Sequence, residues 1–246
     1  MSKQYRDVTI LLTRPAAQSF SFAQEVIRAI GDVSVVISPL MAPNYLIPQI
    51  PPVDFAAVIF VSVAAIEAAK RIASAEVRLP QLAYCVGDRT AEAARLAGFQ
   101  SISAGGDARD LLAMIVAQKP TGPLLFLRGR DSSGDIEGVL NSAKIETISA
   151  VCYEQIPQPF TDKAAKILHE MQPVIVPLFS GRSAVIFQTQ LLDIAATAPV
   201  WAATLSPAIT LVLNIKTIVR TQTADHPDGA SMIVAMKALL MLGTAT

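Results

Sequence analysis

The fold is decided by a stretch that spans residues 56–90, AAVIFVSVAAIEAAKRIASAEVRLPQLAYCVGDRT. It opens with the apolar run Ala56–Val61 and closes with a second one, Leu82–Val86, and such runs are typical of strands covered on both faces. The segment between the two runs has helical spacing. A strand, a helix and another strand in this order predict two parallel strands joined by a right-handed crossover.

The same alternation continues along nearly the whole chain. The predicted strands are Val8–Leu12, Val33–Ile37, Ala56–Val61, Leu82–Val86, Gln100–Ser103, Leu124–Leu127, Ile145–Ser149, Val174–Phe179, Val200–Leu205 and Thr217–Arg220. Two helical segments have clear apolar faces, at Phe20, Ala23, Ile27 and Ile30 and at Met232, Met236, Leu239 and Leu240. The pattern predicts an α/β protein with doubly wound, flavodoxin-like parallel sheets.

Prolines indicate where these strands divide into two sheets. Five prolines fall between residues 39 and 52, and Pro157 and Pro159 mark a second stretch. Proline fixes φ and lacks an amide donor, so neither stretch is expected to continue a helix or a central strand. We expect a discontinuous domain of residues 1–38 and 158–246, an inserted domain of residues 53–150, and a two-stranded linker of residues 39–52 and 151–157. The alternative is a sequential pair of domains divided near residue 155.

Composition excludes several classes of protein. With 52% hydrophobic and 16% charged residues, the chain is typical of a globular protein and not of a disordered one. The longest apolar runs, Phe55–Val61 and Leu111–Ala117, are shorter than the roughly 20 residues of a membrane-spanning helix. The polar start does not resemble a signal peptide, so we expect a cytoplasmic protein. Twenty basic residues balance twenty acidic ones, which argues against a nucleic-acid partner.

The few cysteines and histidines indicate neither a metal site nor a catalytic triad. Cys85 and Cys152 lie in apolar, strand-like runs and are expected to be reduced packing residues. His169 and His226 are far apart, without metal-ligand spacing, and neither lies beside a candidate nucleophile.

Six predicted strands end in small, hydroxylated or glycine residues just before a helical segment. Free amides at a helix N-terminus attract anions, and glycine lets the backbone approach a ligand closely. Since ligands bind at the C-terminal ends of parallel strands, these turns and their arginines suit a ligand with many carboxylates. Helix capping alone explains any single turn. The turns are Thr13-Arg14-Pro15, Ser62-Val63-Ala64, Gly87-Asp88-Arg89-Thr90, Arg128-Gly129-Arg130, Ser180-Gly181-Arg182-Ser183 and Ser206-Pro207.

Two other classes of function are compatible with these turns. A non-catalytic, two-lobed binding protein for a small polycarboxylate or other anion would carry the same features. A flavin-binding enzyme is the second alternative, and the low aromatic content of 6% argues against it.

Taken in order, the motifs of the chain resemble those of the uroporphyrinogen-III synthase family. The motif that matches best is Cys85–Ala94, CVGDRTAEAA, followed by Gly98-Phe99. The resemblance extends from about residue 8 to about residue 240. The other matching motifs are Leu11–Pro15, Ile37–Leu40, Ile59–Ser62 with Ala64 and Ala65, Leu125–Gly129, Val151–Glu154, Phe179–Ala184 and Leu205-Ser206.

The resemblance implies a substrate and a reaction. The substrate is hydroxymethylbilane, a linear tetrapyrrole with many carboxylates. It loses water and closes to uroporphyrinogen III, with inversion of the terminal ring through a spiro intermediate. The family needs neither cofactor nor metal. We expect a monomer, without a membrane partner, that takes its substrate in a transient hand-off from the preceding enzyme of the pathway.

The resemblance also implies candidate site residues. Tyr153 matches the tyrosine of the family's Val-Tyr motif and is the candidate donor to the leaving hydroxyl; the alternative is that it only packs against a linker. Three positions depart from the family pattern, Val61, Gly181 and Thr204, which puts the contribution of those side chains in doubt. The candidate carboxylate contacts, many through main-chain amides, are Thr13, Arg14, Ser62, Gly87, Thr90, Arg128, Gly129, Ser180, Arg182, Ser183 and Ser206.

Overall fold

The computed structural model describes residues 8–75, 77–131 and 134–243, and two compact units are formed, Met1–Ala42 with Pro157–Thr246 and Pro43–Ile156. In chain order the described elements are β1 (Thr9–Leu12), α1 (Ala16–Ile30), β2 (Ser34–Ile37), β3 (Met41–Tyr45), β4 (Ala57–Phe60), α2 (Val63–Ser74), β5 (Leu82–Cys85), α3 (Asp88–Leu96), β6 (Gln100–Ser103), α4 (Ala108–Gln118), β7 (Leu124–Gly129), α5 (Ile136–Ser142), β8 (Thr147–Pro157), α6 (Asp162–Leu168), β9 (Val174–Leu178), α7 (Gly181–Asp193), β10 (Val200–Thr204), α8 (Pro207–Leu211), β11 (Ile218–Thr223) and α9 (Gly229–Gly243).

The discontinuous unit has a five-stranded parallel sheet with helices on both faces. The strand order is β2-β1-β9-β10-β11. Buried residues of α1 and α9 form one hydrophobic core, and those of α6, α7 and α8 form a second core on the opposite face. Counted along this unit's own chain the order is 2-1-3-4-5, which is the flavodoxin-like arrangement.

The other unit has a six-stranded sheet in the order β3-β8-β7-β4-β5-β6. Its described pairs β4–β5, β4–β7, β5–β6 and β7–β8 are parallel. Helices α2 and α3 cover one face, and α4 and α5 cover the other. Both sheets confirm the predicted α/β class with parallel strands. Without the edge strand β3, however, the order here is 3-2-1-4-5 and not flavodoxin-like, since hydrophobic patterns do not specify to which side each crossover runs.

Both segments predicted as linkers contain strand residues. The first holds β3, which neighbours β8 at the edge of the sheet, and the Leu46 amide donates to the Cys152 carbonyl at 2.9 Å. Strand β3 carries Pro43 at the edge of the sheet, where proline is tolerated, so the expectation that this stretch holds no helix and no central strand agrees with the structure, although β3 itself was not predicted. The predicted strand Ile145–Ser149 overlaps only the first residues of β8, which begins at Thr147 and continues to Pro157.

The apolar faces of the first and last helices turned out differently. In α9, Met232, Met236, Leu239 and Leu240 are all buried, as predicted. In α1, Phe20 and Ile27 are exposed, and the buried residues are Ser19, Phe22, Ala23 and Val26. Helix α1 has two apolar stripes. The stripe that packs against the sheet contains Phe22 and Val26, whereas periodicity favoured the one with Phe20 and Ile27. Within the described residues, no helix is both long and apolar enough to cross a membrane.

The fold predicts that truncating a side chain of α7 destabilises the protein strongly only where that side chain is buried. Phe187 is fully buried, and its ring meets that of Phe160 edge to face at 5.7 Å. Phe187→Ala should lower the free energy of unfolding by about 3–5 kcal/mol, because the apolar surface of the ring is no longer buried and a cavity is left in its place. The control is Leu192→Ala on the same helix, where the side chain is 62% exposed and a change within about 0.5 kcal/mol is expected. Urea denaturation measures both values, and similar losses for the two variants would contradict this core.

Candidate functional site

The topology of the discontinuous unit brings several predicted site residues to one place. From β1 the sheet continues to β2 on one side and to β9 and β10 on the other, so its order reverses between β1 and β9. Ligands of doubly wound proteins bind at the C-terminal ends of the strands beside such a switch point. Thr13 and Arg14 follow β1, and Ser180 follows β9, so all three lie at this position.

Side chains at this switch point are held by local contacts. The Arg14 guanidinium lies over the Phe179 ring at 4.1 Å, and its Nε donates to Gln18 Oε1 at 3.1 Å. Ser180 caps α7, since its Oγ accepts from the Ser183 amide at 3.1 Å and lies 2.8 Å from Ser183 Oγ. Of the other predicted contacts in this unit, Thr13 is buried, Arg182 is exposed, and Ser206 precedes α8 without a side-chain capping bond.

Thr204, a departure from the family pattern, has its hydroxyl bound within the protein. The side chain is fully buried, and its Oγ1 lies 2.5 Å from Thr210 Oγ1 and 3.1 Å from Thr223 Oγ1. The hydroxyl therefore stabilises the end of β10 and is not presented to a ligand.

In the other unit, the sheet order reverses between β4 and β7. Ser62 follows β4, Arg128 and Gly129 end β7, and Tyr153 lies on β8, the neighbour of β7. These four predicted residues therefore surround one switch point. Gly87 and Thr90 lie one strand further out, at the start of α3, where the Thr90 side chain is buried.

Tyr153 reaches across the end of β7 to Ser62. The phenol oxygen lies 3.0 Å from Ser62 Oγ, and Ser62 Oγ also accepts from the Ala65 amide at 3.2 Å as the N-cap of α2. A Cβ atom on Gly129 would lie 2.7 Å from Cζ and 2.9 Å from both Cε2 and the phenol oxygen of Tyr153. Only glycine leaves room for the ring, so Gly129 is required for this contact and not for an unusual backbone angle.

The backbone around Tyr153 is fixed by neighbouring strands. Its carbonyl accepts from the Arg130 amide at 2.9 Å, and the register between β7 and β8 shifts at Arg128/Gly129. One Arg128 Nη donates to the Gly129 carbonyl at 3.1 Å. The bond from the Arg130 amide and the shifted register fix the position of Tyr153 along β8.

The turn after β7 departs from the sequence prediction. Arg128 and Gly129 are strand residues, and α5 begins only at Ile136. Its N-cap is Asp135, whose carboxylate accepts from the Gly138 amide at 2.8 Å. Arg128 and Gly129 therefore do not cap a helix, and their place in the site depends on the strand end itself.

Sequence reasoning missed an ion pair next to Tyr153. Glu154 accepts from Arg130 Nε at 2.7 Å and from Asn44 Nδ2 at 3.1 Å. The Arg130 hydrogen bond and then that of Asn44 hold the pKa of the Glu154 carboxyl below its usual range. Arg130 and Glu154 are 24 positions apart in the sequence, so no local pattern indicates that they pair.

The two cysteines are placed as expected for packing residues. Both are buried free thiols, and burial raises the pKa of Cys85 to about 11 and that of Cys152 to about 12. Neutral thiols are weak nucleophiles, so neither is a candidate for covalent catalysis. In the part of the chain that the structure describes, no three His, Cys, Asp or Glu side chains are grouped to hold a metal ion.

Comparison with known proteins identifies the family. The model of the family described as uroporphyrinogen-III synthase HemD matches residues 21–234. The chain belongs to this family. Uroporphyrinogen-III synthases cyclise hydroxymethylbilane in porphyrin and haem biosynthesis, so the chain is a lyase of this class, and the non-catalytic binding protein is not favoured.

Similar solved structures are found within the same family. The crystal structure of uroporphyrinogen-III synthetase from Helicobacter pylori 26695 supports the fold, with a TM-score of 0.57 and 17% identity over 95% of this chain and 99% of that chain. A mutant uroporphyrinogen III synthase from Thermus thermophilus gives a TM-score of 0.45 and 12% identity, over 96% of this chain and 99% of that one. No match is found among curated proteins.

The close packing at Gly129 yields a prediction for this synthase. Gly129→Ala should push the Tyr153 ring away from Ser62. If Tyr153 is the donor that the sequence predicts, kcat should fall on the order of a hundredfold, because small misplacements of a reacting group have effects of this size. Consumption of hydroxymethylbilane measures the rate. The control is Gly229→Ala, whose Cβ would meet Phe22 at an ordinary 3.6 Å and should leave kcat unchanged. Full activity in Gly129→Ala would mean that the Tyr153 position is irrelevant to turnover.

Proposed function

We propose that Tyr153 is the catalytic donor of this uroporphyrinogen-III synthase and that the strand ends of each unit bind the substrate's carboxylates. The observation that carries the proposal is the Tyr153 phenol at the switch point beside β7, 3.0 Å from Ser62 Oγ and against the bare Gly129 backbone. A phenol that only packed in the core would not be directed to the strand-end edge, where doubly wound sheets bind ligands.

The chemistry asks one proton donor of the protein. As the terminal carbon–oxygen bond breaks, the electron pair leaves with the hydroxyl, which takes the phenol proton and departs as water. The lone pair of the adjacent pyrrole nitrogen fills the electron-poor carbon and gives a protonated azafulvene. Phenols are neutral hydroxyl donors at physiological pH, and a single positioned donor is sufficient because the pyrrole supplies the electrons.

The later steps restore the proton. The far pyrrole attacks the azafulvene carbon through its already substituted position and forms the spiro intermediate. That intermediate fragments and closes again with the ring inverted. The macrocycle then loses one proton as the last pyrrole regains aromaticity, and this proton returns to the Tyr153 oxygen. The sum is loss of one water molecule, with no electron taken from or given to the protein.

Positioning is the larger demand. In solution the ring closes without inversion, so the enzyme must hold the chain in its less favourable arrangement. About 3 kcal/mol of preference gives roughly a hundredfold excess of one product, within the range that binding in a fixed geometry supplies.

Main-chain amides supply much of the proposed carboxylate binding. Helices α1, α2, α3 and α7 each begin within a few residues of a strand end, and their first amides have no partner within the helix. Amides at the positive end of a helix bind carboxylates without a net positive protein charge. Arg14 and Arg182 add charge beside the starts of α1 and α7, and Arg128 adds charge at the end of β7. At the buried positions Thr13 and Thr90, the proposed contact is through the backbone.

The organisation of the protein belongs to the same proposal. The two compact units support a discontinuous domain with a second domain inserted into it. We place the enzyme in the cytoplasm as a monomer that accepts its unstable substrate from the enzyme that makes it.

Product analysis tests the function. Purified protein is incubated with hydroxymethylbilane, and the products are oxidised and separated as type I and type III uroporphyrins. The expected result is predominantly type III, against type I in a control without protein. Type I alone from a folded, monodisperse sample would overturn the function and favour the anion-binding alternative.

Substitution of the donor tests its role. Tyr153→Phe should lower kcat about a hundredfold, because the phenol proton is lost while the ring remains. Its free energy of unfolding should change by only about 0.5–1.5 kcal/mol, the usual worth of one hydrogen bond. Tyr84→Phe removes another tyrosine hydroxyl, from a side chain buried in β5, and should keep full activity. An unchanged rate in Tyr153→Phe would remove Tyr153 from the mechanism.

A further inference from the structure

We infer that Ser62 is a positioning residue that donates its hydroxyl proton to the Tyr153 oxygen and so keeps the phenol proton available for the substrate. The inference rests on the proposed role of Tyr153. It gives Ser62 a different task from the carboxylate contact that the sequence indicated.

The argument begins with the donors and acceptors around Ser62 Oγ. A serine hydroxyl has one proton and two lone pairs. The Ala65 amide can only donate, so its 3.2 Å contact occupies one lone pair. The 3.0 Å contact with the phenol can run in either direction, since each oxygen carries a proton.

The direction of that bond decides whether Tyr153 can act. A phenol that donated to Ser62 would have no proton left for the leaving hydroxyl, because it carries only one. If Ser62 donates instead, the phenol oxygen accepts and its own proton can point to the substrate. Catalysis by Tyr153 therefore requires Ser62 as the donor.

The setting of Ser62 favours this direction. Its Oγ accepts from the third residue of the twelve-residue helix α2, at the positive end of the helix dipole. A hydroxyl that accepts a hydrogen bond becomes a stronger donor, because chained bonds polarise one another. The chain Ala65 amide, Ser62 hydroxyl, Tyr153 phenol thus stabilises the negative charge that develops on the phenol oxygen as its proton leaves.

The surroundings of the ring direct the phenol to Ser62. Gly129 fixes one side of the ring, and the bond from the Arg130 amide to the Tyr153 carbonyl fixes the backbone from which it extends. Within these restraints the phenol oxygen is directed to Ser62 Oγ. Removing the Ser62 hydroxyl leaves the phenol free to turn its proton elsewhere.

The test separates kcat from KM. Ser62→Ala should lower kcat about tenfold and change KM less than twofold, whereas loss of a carboxylate contact would raise KM. Ser62→Thr keeps a hydroxyl and should recover most of kcat. In a Tyr153→Phe background, Ser62→Ala should cause no further loss of kcat, because the phenol that Ser62 positions is already gone.

Matched variants control for the lost helix cap. Thr161 Oγ1 caps α6 by accepting from the Ala164 amide at 3.3 Å, so Thr161→Ala removes a comparable capping bond, and it should leave kcat unchanged. If Ser62→Ala does not fold, Ser62→Gly takes its place, since glycine is tolerated at an N-cap and still lacks the donor.

Three results would overturn the inference. They are an unchanged kcat in Ser62→Ala or Ser62→Gly, a loss expressed only in KM, and a full multiplicative loss in the Tyr153→Phe background. The product formed by the wild-type protein distinguishes failure of the proposed function from failure of this inference. If the wild-type protein does not form type III product, the proposed function is contradicted. If it forms type III product and any of the three results is found, only the role of Ser62 is contradicted.

Discussion

Parallel pairing sends every strand-to-helix turn of a sheet to the same edge, and the rest of the structure depends on this constraint. In one unit it gathers Arg14 and Ser180 beside the switch between β1 and β9. In the other it places Ser62, Gly129 and Tyr153 around the end of β7, although Ser62 and Tyr153 are 91 residues apart. Helix N-termini at the same edges supply amides for anions. In the proposed binding mode, this topology lets a chain of zero net charge bind a polyanion.

The chemical demand on this arrangement is small, and the geometric demand is large. The substrate supplies the electrons for its own dehydration, so the protein needs a donor and a fixed shape. The freedom of Tyr153, the proposed donor, is reduced by three short-range contacts: a strand bond to its carbonyl, packing of its ring against the bare Gly129 backbone, and the Ser62 hydroxyl. Such preorganisation raises the rate, because the side chain loses its conformational entropy when the protein folds and not when the transition state forms.

The sequence carried some of this information and lacked the rest. Apolar runs with helical segments between them specify a parallel α/β fold, and caps such as Ser62 and Ser180 are local signals that the structure confirms. The strand order of the second sheet was not predicted, because the side to which each crossover runs is a tertiary property. Strand β3 was not predicted either, because it lies at the edge of the sheet, where a strand tolerates a proline such as Pro43. The approach of Gly129 to Tyr153 depends on the register shift between β7 and β8, which no local pattern encodes.

The most direct measurement is a crystal structure of the protein with uroporphyrinogen III bound. The account predicts that the Tyr153 phenol oxygen lies about 3.5 Å from the bridge carbon that lost the hydroxyl, the separation of reacting groups in a productive complex. It also predicts that the Ser62 Oγ contact stays within about 3.2 Å, as a hydrogen bond requires. The account would be contradicted by product bound at the strand ends with the Tyr153 phenol oxygen well beyond this distance from the bridge carbon. A phenol turned away from Ser62 would also contradict it.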